Sequence, residues 1–120
     1  MRLIRADIGH SGELHRMLME YCRDLGKSIP SPDFWLVKFQ EPTFYCLMAK
    51  HGKKPVGFVM GNLCPYFDDP EATMDALFVR RGFRKIKFIR ELLEESKGFF
   101  NAFNISKISY NRIKSKVRKL

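Results

Sequence analysis

The sequence predicts an α/β (α+β) fold, a mixed and mostly antiparallel five-stranded sheet with helices on both faces. Three observations carry this. From Thr73 to Leu93 the apolar period changes from two to about 3.6 across a basic turn at Gly82, the signature of a strand running into a helix. Two runs of β-formers flank His51-Gly52-Lys53-Lys54-Pro55, which is hairpin turn chemistry. A hydrophobic fraction of 45% with 11 Phe is ample for a packed core and argues against disorder. A chain of 120 residues is one domain, 1–120.

Taken in order, Arg2 to Ala6 is a short first strand, broken by Gly9-His10-Ser11-Gly12. Ser11 caps a helix with Glu13 in its first turn, and Leu14, Met17/Leu18, Tyr21/Cys22 and Leu25 recur at helical spacing until Gly26 stops it. Ser31 then caps, with Pro32 at the first helical position, a short helix over Asp33 to Gln40. Thr43 to Lys50 and Val56 to Leu63 are the hairpin strands. A loop through Pro65 and Asp68-Asp69-Pro70 leads to a central strand, Ala72–Val79, with Leu77 and Val79 on one face and Ala76 and Phe78 on the other. The helix that follows starts at Phe83, presents Ile86, Ile89 and Leu93 on one face, and reaches about Phe103, tolerating Gly98. Ile105 to Tyr110 is the fifth strand, joined to the fourth by a right-handed crossover and so parallel to it. Ile113, Val117 and Leu120 suit a final short amphipathic helix.

The charge balance is the strongest compositional signal: 22 Lys+Arg against 13 Asp+Glu, a net charge of +9. Such an excess favours an anionic ligand, nucleic acid or an acidic protein surface. Six basic residues and no acid lie between Arg80 and Arg90, and six more between Lys107 and Lys119. The second group is equally explained as a solvated helix face. Cations at a helix N-terminus are locally unfavourable by roughly 0.3–1 kcal/mol each. Arg84, Lys85 and Lys87 at the start of the long helix therefore favour an anion such as a pyrophosphate held by N–H groups. No apolar run approaches the roughly 20 residues of a membrane span, and no signal-peptide pattern opens the chain. Cys22, Cys46 and Cys64 have neither CxxC nor His at metal spacing, so the expectation is reduced thiols, no metal site and a cytoplasmic protein.

The element order and several phrases resemble the Gcn5-related N-acetyltransferase (GNAT) superfamily. They are Ile4-Arg5-Ala6, Lys54-Pro55-Val56-Gly57-Phe58-Val59, Leu77-Phe78-Val79 before a basic turn, and Asn111 after the fifth strand. The resemblance covers nearly the whole chain. It implies acetyl-CoA as cosubstrate and an amine as acceptor. The pantetheine arm would lie on backbone groups of Phe78 and Val79, the phosphates on Arg84, Lys85 and Lys87, with Asn111 as a further contact or the cap of the final helix. The family's loop, Arg/Gln-x-x-Gly-x-Gly/Ala, aligns with Arg84 to Ile89, so Lys87 and Ile89 stand where glycines are usual. The glutamate base that some members carry aligns with Thr73, two residues before Asp75, which is the one acid on the central strand and the candidate base. The usual tyrosine acid has Val117 or Arg118 in its place, and the family's last hairpin has no counterpart before Leu120. Short chains of this kind resemble phage-type members.

Two functions follow. One is an acyl-CoA-dependent N-acetyltransferase. The alternative is an inactive binding module on the same fold, its basic face turned to nucleic acid or an acidic protein. Without a following hairpin, Ile105–Tyr110 is a sheet edge that invites a homodimer. Ile105 and Ile108 cannot share a face of a regular strand, so one is expected to pack outside the usual core. His10, His15, His51, Cys64 and Tyr66 lack partner motifs.

Overall fold

A computed structural model describes residues 1–64, 70–105 and 107–109. The strands are β1 (Arg2–Arg5), β2 (Phe44–His51), β3 (Lys54–Cys64), β4 (Glu71–Thr73), β5 (Ala76–Val79) and β6 (Lys107–Ser109). The helices are α1 (Ser11–Leu25), α2 (Asp33–Gln40) and α3 (Ile86–Ala102). The sheet order is β1-β2-β3-β4-β6, with β5 also paired to β3. Every described pairing is antiparallel except β4 with β6, the parallel pair expected of the crossover. The β2–β3 hairpin turns on Gly52 in the left-handed region at φ 63°.

Helices cover both faces. Leu14, Met17, Leu18 and Cys22 of α1 and Trp35 of α2 pack with Phe44, Cys46, Met48, Phe58, Ala76 and Phe78 on one side. Leu92 and Phe100 of α3 pack on the other side with Tyr45, Leu47, Val59 and Val79. The alternation in the sequence is thus the division of the sheet between two cores, Phe78 facing α1 and Val79 facing α3.

The central strand departs from its expected form. Ala72–Val79 is two strands, because Met74 and Asp75 interrupt it. Leu63 pairs with Ala72 and Met60 with Ala76, so Gly61 and Asn62 of β3 oppose Thr73, Met74 and Asp75. Three residues against two is a β-bulge, which bends the strand and increases its twist. The amides here find other partners: Met74 N–H donates to the Ser109 carbonyl at 2.8 Å and Asp75 N–H to the Met60 carbonyl at 2.9 Å. Gly61 makes room for this, since a Cβ there would stand 1.9 Å from the Thr73 carbonyl oxygen. The described β4–β6 pairing ends at Thr73 and Ser109, while among the described residues β5 continues against β3 alone. The sheet therefore forks at the bulge.

Other expectations shift locally. A 3₁₀ turn at Arg81–Phe83 intervenes, so α3 begins at Ile86 and not at Phe83. Its buried stripe is Leu92, Ser96 and Phe100; Ile86 is 70% exposed, and Ile89 and Leu93 flank the stripe. Gly98 lies within the helix as expected. Asp7 caps a 3₁₀ turn that leads into α1, displacing Ser11 as the first cap, and Pro32 takes the cap position of α2. Ile105 precedes β6, so both it and Ile108 reach the same intramolecular core. The expectation that one packs elsewhere fails for that reason. Lys107 faces Glu71 of β4 at 3.7 Å. Asn111 and the final helix lie outside the described residues.

The bulge and the α3 glycine predict opposite outcomes for one substitution type. Gly61→Ala forces two backbones apart and should destabilise by about 1–3 kcal/mol or more. Gly98→Ala, with nothing within 4 Å of the added Cβ, should stabilise by roughly 0.5–1 kcal/mol. Urea midpoints of the two variants against the parent chain check both signs.

Candidate active site

The fork brings chemistry to its two sides. On the α1–α2 side a cleft of about 460 Å³ is floored by Met60, Asn62 and Asp75 and walled by Tyr21, Cys22 and Phe34. Asp75 enters it because the bulge sets this residue at the start of β5. Its carboxylate accepts from Asn62 Nδ2 and Thr73 Oγ1, each at 3.4 Å. Thr73 is held in turn: its hydroxyl accepts from the Asn62 amide at 3.1 Å, and its carbonyl accepts from the Tyr45 hydroxyl at 2.7 Å. The carboxylate is thus half-buried and oriented. Sequence reasoning passed over Asn62. The available signal was a polar side chain directly after Gly61, within a run of apolar β-formers.

On the other side lies the junction of β5 with α3. Phe78 and Val79 are buried side chains, and among the described residues β5 has no strand along its outer edge. Beyond it, α3 starts at the extended Lys85 with no side-chain cap and no acid in its first turn. Lys85 and Lys87 are exposed beside that start. Ile89 packs against the α3 core, so its side chain is turned away from the loop.

Arg84 behaves differently from the expectation. Its Nε donates to the Val79 carbonyl, its Nη2 donates to Asp24 Oδ2, and its guanidinium lies 5.5 Å from the Phe78 ring centre. Arg81 also reaches Asp24, at 3.3 Å, and Arg80 donates to Glu20 at 3.0 Å and to the Pro55 carbonyl at 3.0 Å. Three of the six cations between Arg80 and Arg90 therefore staple the turn to the end of α1. The two acids lie four residues apart on one helix face, the spacing that lets them act together. Arg84 is committed within the protein, which leaves Lys85 and Lys87 as the outward cations of the expected set.

Hydrogen bonds from Arg84 hold the Asp24 carboxyl below its usual range, against a smaller effect of burial. Burial pushes the Cys22 and Cys46 thiols up, so neither is poised as a nucleophile. Cys64 is half-buried and Tyr66 is outside the described residues. His10 serves the cap at Asp7, and the His51 ring rests 5.4 Å from that of Phe83. Among the described residues there is no cluster that could hold a metal and no helix long and apolar enough to cross a membrane.

Comparison with known proteins agrees with this architecture. A family model described as acetyltransferase (GNAT) family matches residues 13–115. The chain belongs to that family. No curated protein sequence matches it. Among solved structures, a probable acetyltransferase superposes with a TM-score of 0.81 at 15% identity, covering 99% of this chain and 87% of that one. An aminoglycoside acetyltransferase from an uncultured soil metagenomic sample, in complex with sisomicin, gives 0.77 at 15% identity, with 91% and 75% covered. The structure of AAC(6')-Iy in complex with the bisubstrate analogue CoA-S-monomethyl-acetylneamine gives 0.71 at 15% identity, with 98% and 86% covered. At these identities the likeness is one of fold.

The family uses acetyl-CoA, and the chain's donor set fits such a molecule. The outer edge of β5, unpaired among the described residues, offers peptide groups to an extended amide-bearing arm. The uncapped start of α3, with Lys85 and Lys87, suits a diphosphate. The Val79 carbonyl is the exception, being already taken by Arg84.

The Asp24–Arg84 pair gives a pH prediction. A carboxyl whose folded pKa is lowered contributes stability above its unfolded value of about 3.9, and loses it as the pH falls through the folded value. Asp24→Asn should therefore lower the urea midpoint at neutral pH, and the gap from the parent should close as the pH is taken down through the carboxylate range. A gap that stays constant with pH would show that the pair is not the source.

Proposed function

We propose that the chain is an acyl-CoA-dependent N-acetyltransferase that transfers acetyl to an amine of an acceptor seated in the α1–α2 cleft. The observation that carries this reading is the position of Asp75. The bulge puts this carboxylate on the cleft floor at the root of β5, the strand whose other edge carries no strand among the described residues. Acetyl-CoA, when bound, supplies a thioester carbonyl for attack by an amine. The chain's own part is to hold two molecules end to end across the fork, and orientation alone is worth several kcal/mol of barrier.

In this reading the outward amide of Val79 steadies the pantetheine arm, since the Val79 carbonyl is held by Arg84 and the Phe78 carbonyl is turned toward Gly57 of β3. The first-turn amides of α3 with Lys85 and Lys87 hold the phosphates. Arg84 positions this edge through Val79 and does not contact phosphate. Asp75 takes the proton of the attacking amine, kept in place by Asn62 and Thr73. Asn111 is the remaining contact implied by the family resemblance.

A second reading has its own support. A GNAT-fold binding module that does not catalyse is favoured by the commitment of Arg84 to Asp24, and by a net charge of +9 that suits nucleic acid or an acidic protein. Its mark is association that weakens steeply with salt, by about 0.9 in log–log slope for each duplex-DNA phosphate neutralised.

Thermal unfolding with acetyl-CoA separates the two. A ligand bound only to the folded chain stabilises by about 2.7 kcal/mol at a hundred times its dissociation constant. The transferase reading expects that shift, its loss in Lys85→Ala/Lys87→Ala, and its survival in Arg84→Ala once the variant's own lower baseline is taken into account. Asp75→Asn should keep the shift while lowering kcat by roughly a hundredfold or more, the usual size of a general base. No shift at millimolar acetyl-CoA, together with salt-dependent binding of duplex DNA, decides for the module.

A further inference from the structure

The cleft's charges point to a class of acceptor, an inference that rests on the transferase reading. Among its described lining residues there is one carboxylate, Asp75, and it belongs to the sheet floor. The helix side contributes two ammonium groups, Lys27 and Lys38. Both are held near the cleft by the backbone around them. Gly26 ends α1 in the left-handed region at φ 65°, and the Lys27 amide donates to the Cys22 carbonyl at 2.8 Å, fixing Lys27 at the C-terminus of α1 where a cation is favoured. Lys38 projects from α2 with its ammonium 5.8 Å from the Phe34 ring centre, on the cleft wall. Its ionic partner, Glu41 at 3.5 Å, is not among the lining residues, and the two side chains are 35% and 40% exposed. Glu41 offsets part of the Lys38 charge from outside the cleft, and the ammonium is the member of the pair that lines it.

An amine that reaches Asp75 extends the rest of its body past Phe34, Tyr21 and Met60 toward these two cations. A second positive group on that body would meet Lys27 and Lys38, and like-charge contact is what excludes a wrong partner. A negative group would be attracted, and the aromatic and thioether lining suits an apolar stem between the two ends.

We propose that the acceptor is an amine joined through an apolar stem to an anionic group, a carboxylate or a phosphate, which Lys27 and Lys38 receive while the amine lies at Asp75. A polycationic acceptor is thereby disfavoured.

The test is acetyl transfer, followed as thiol release, to four amines: aminocaproate with a carboxylate tail, phosphoethanolamine with a phosphate tail, hexylamine with none, and cadaverine with a cationic tail. Acetyl-CoA affinity is titrated separately by calorimetry. At least one anionic amine should exceed hexylamine and cadaverine by about tenfold or more in kcat/KM, the scale of one well-placed charge contact; which one it is tells carboxylate from phosphate. Lys27→Glu/Lys38→Glu should raise KM for the anionic amine and lower it for cadaverine, with the acetyl-CoA Kd unchanged. The milder Lys38→Gln should move KM the same way by less. The assignment is overturned if a chain that binds acetyl-CoA prefers hexylamine or cadaverine, turns over none of the four, or keeps its preference through the charge reversal. A chain that does not bind acetyl-CoA defeats the transferase reading itself, and this assignment falls with it.

Discussion

The close passage of Thr73 over Gly61 is the contact on which the rest of the molecule depends. Two main chains lie nearer there than any side chain allows. That approach lets three residues oppose two, and the bulge is what prevents β4 and β5 from forming one straight strand. From it follow the divergence of β4 and β5 among the described residues and the appearance of a carboxylate on the floor of the cleft. The cost of the irregularity is limited because the displaced groups around it find partners: Met74 and Asp75 through their amides, Thr73 through both its carbonyl and its hydroxyl. Buried polar groups must be satisfied for such a distortion to persist.

The two cores on either side of the sheet make the fork rigid. Trp35 and Phe58 are fully buried below, and Tyr45 and Phe100 above, the last two 5.2 Å apart edge to face. Tyr45 joins packing to polarity, since the same ring that touches α3 carries the hydroxyl that holds the Thr73 carbonyl. Sites of this kind gain accuracy from elements that cannot move independently.

How much of this was legible in the sequence differs by residue. The alternation Ala76-Leu77-Phe78-Val79 named both cores correctly, because a strand between two helical layers has only two faces to assign. The parallel pairing followed from handedness. What the sequence could not convey was the bulge: Asp75 is uncommon in a strand, but the cause of the irregularity sits on a neighbour, at Gly61. The partners of the basic turn were hidden for a similar reason. Arg84 is 60 residues from Asp24, and a cluster of cations looks unopposed until the fold brings acids to it. Periodicity puts the start of α3 three residues early because Phe83 closes a 3₁₀ turn, with its amide bonded to the Arg80 carbonyl, a local bond that periodicity does not register.

The staple between Asp24 and Arg84 sets two demands on one position in opposition. The carboxylate that secures the turn to α1 also neutralises an arginine beside the start of α3. A residue at 24 without charge would loosen the turn and, by the same act, release a guanidinium beside the start of α3. Folding strength and uncompensated positive charge are therefore exchanged at this position.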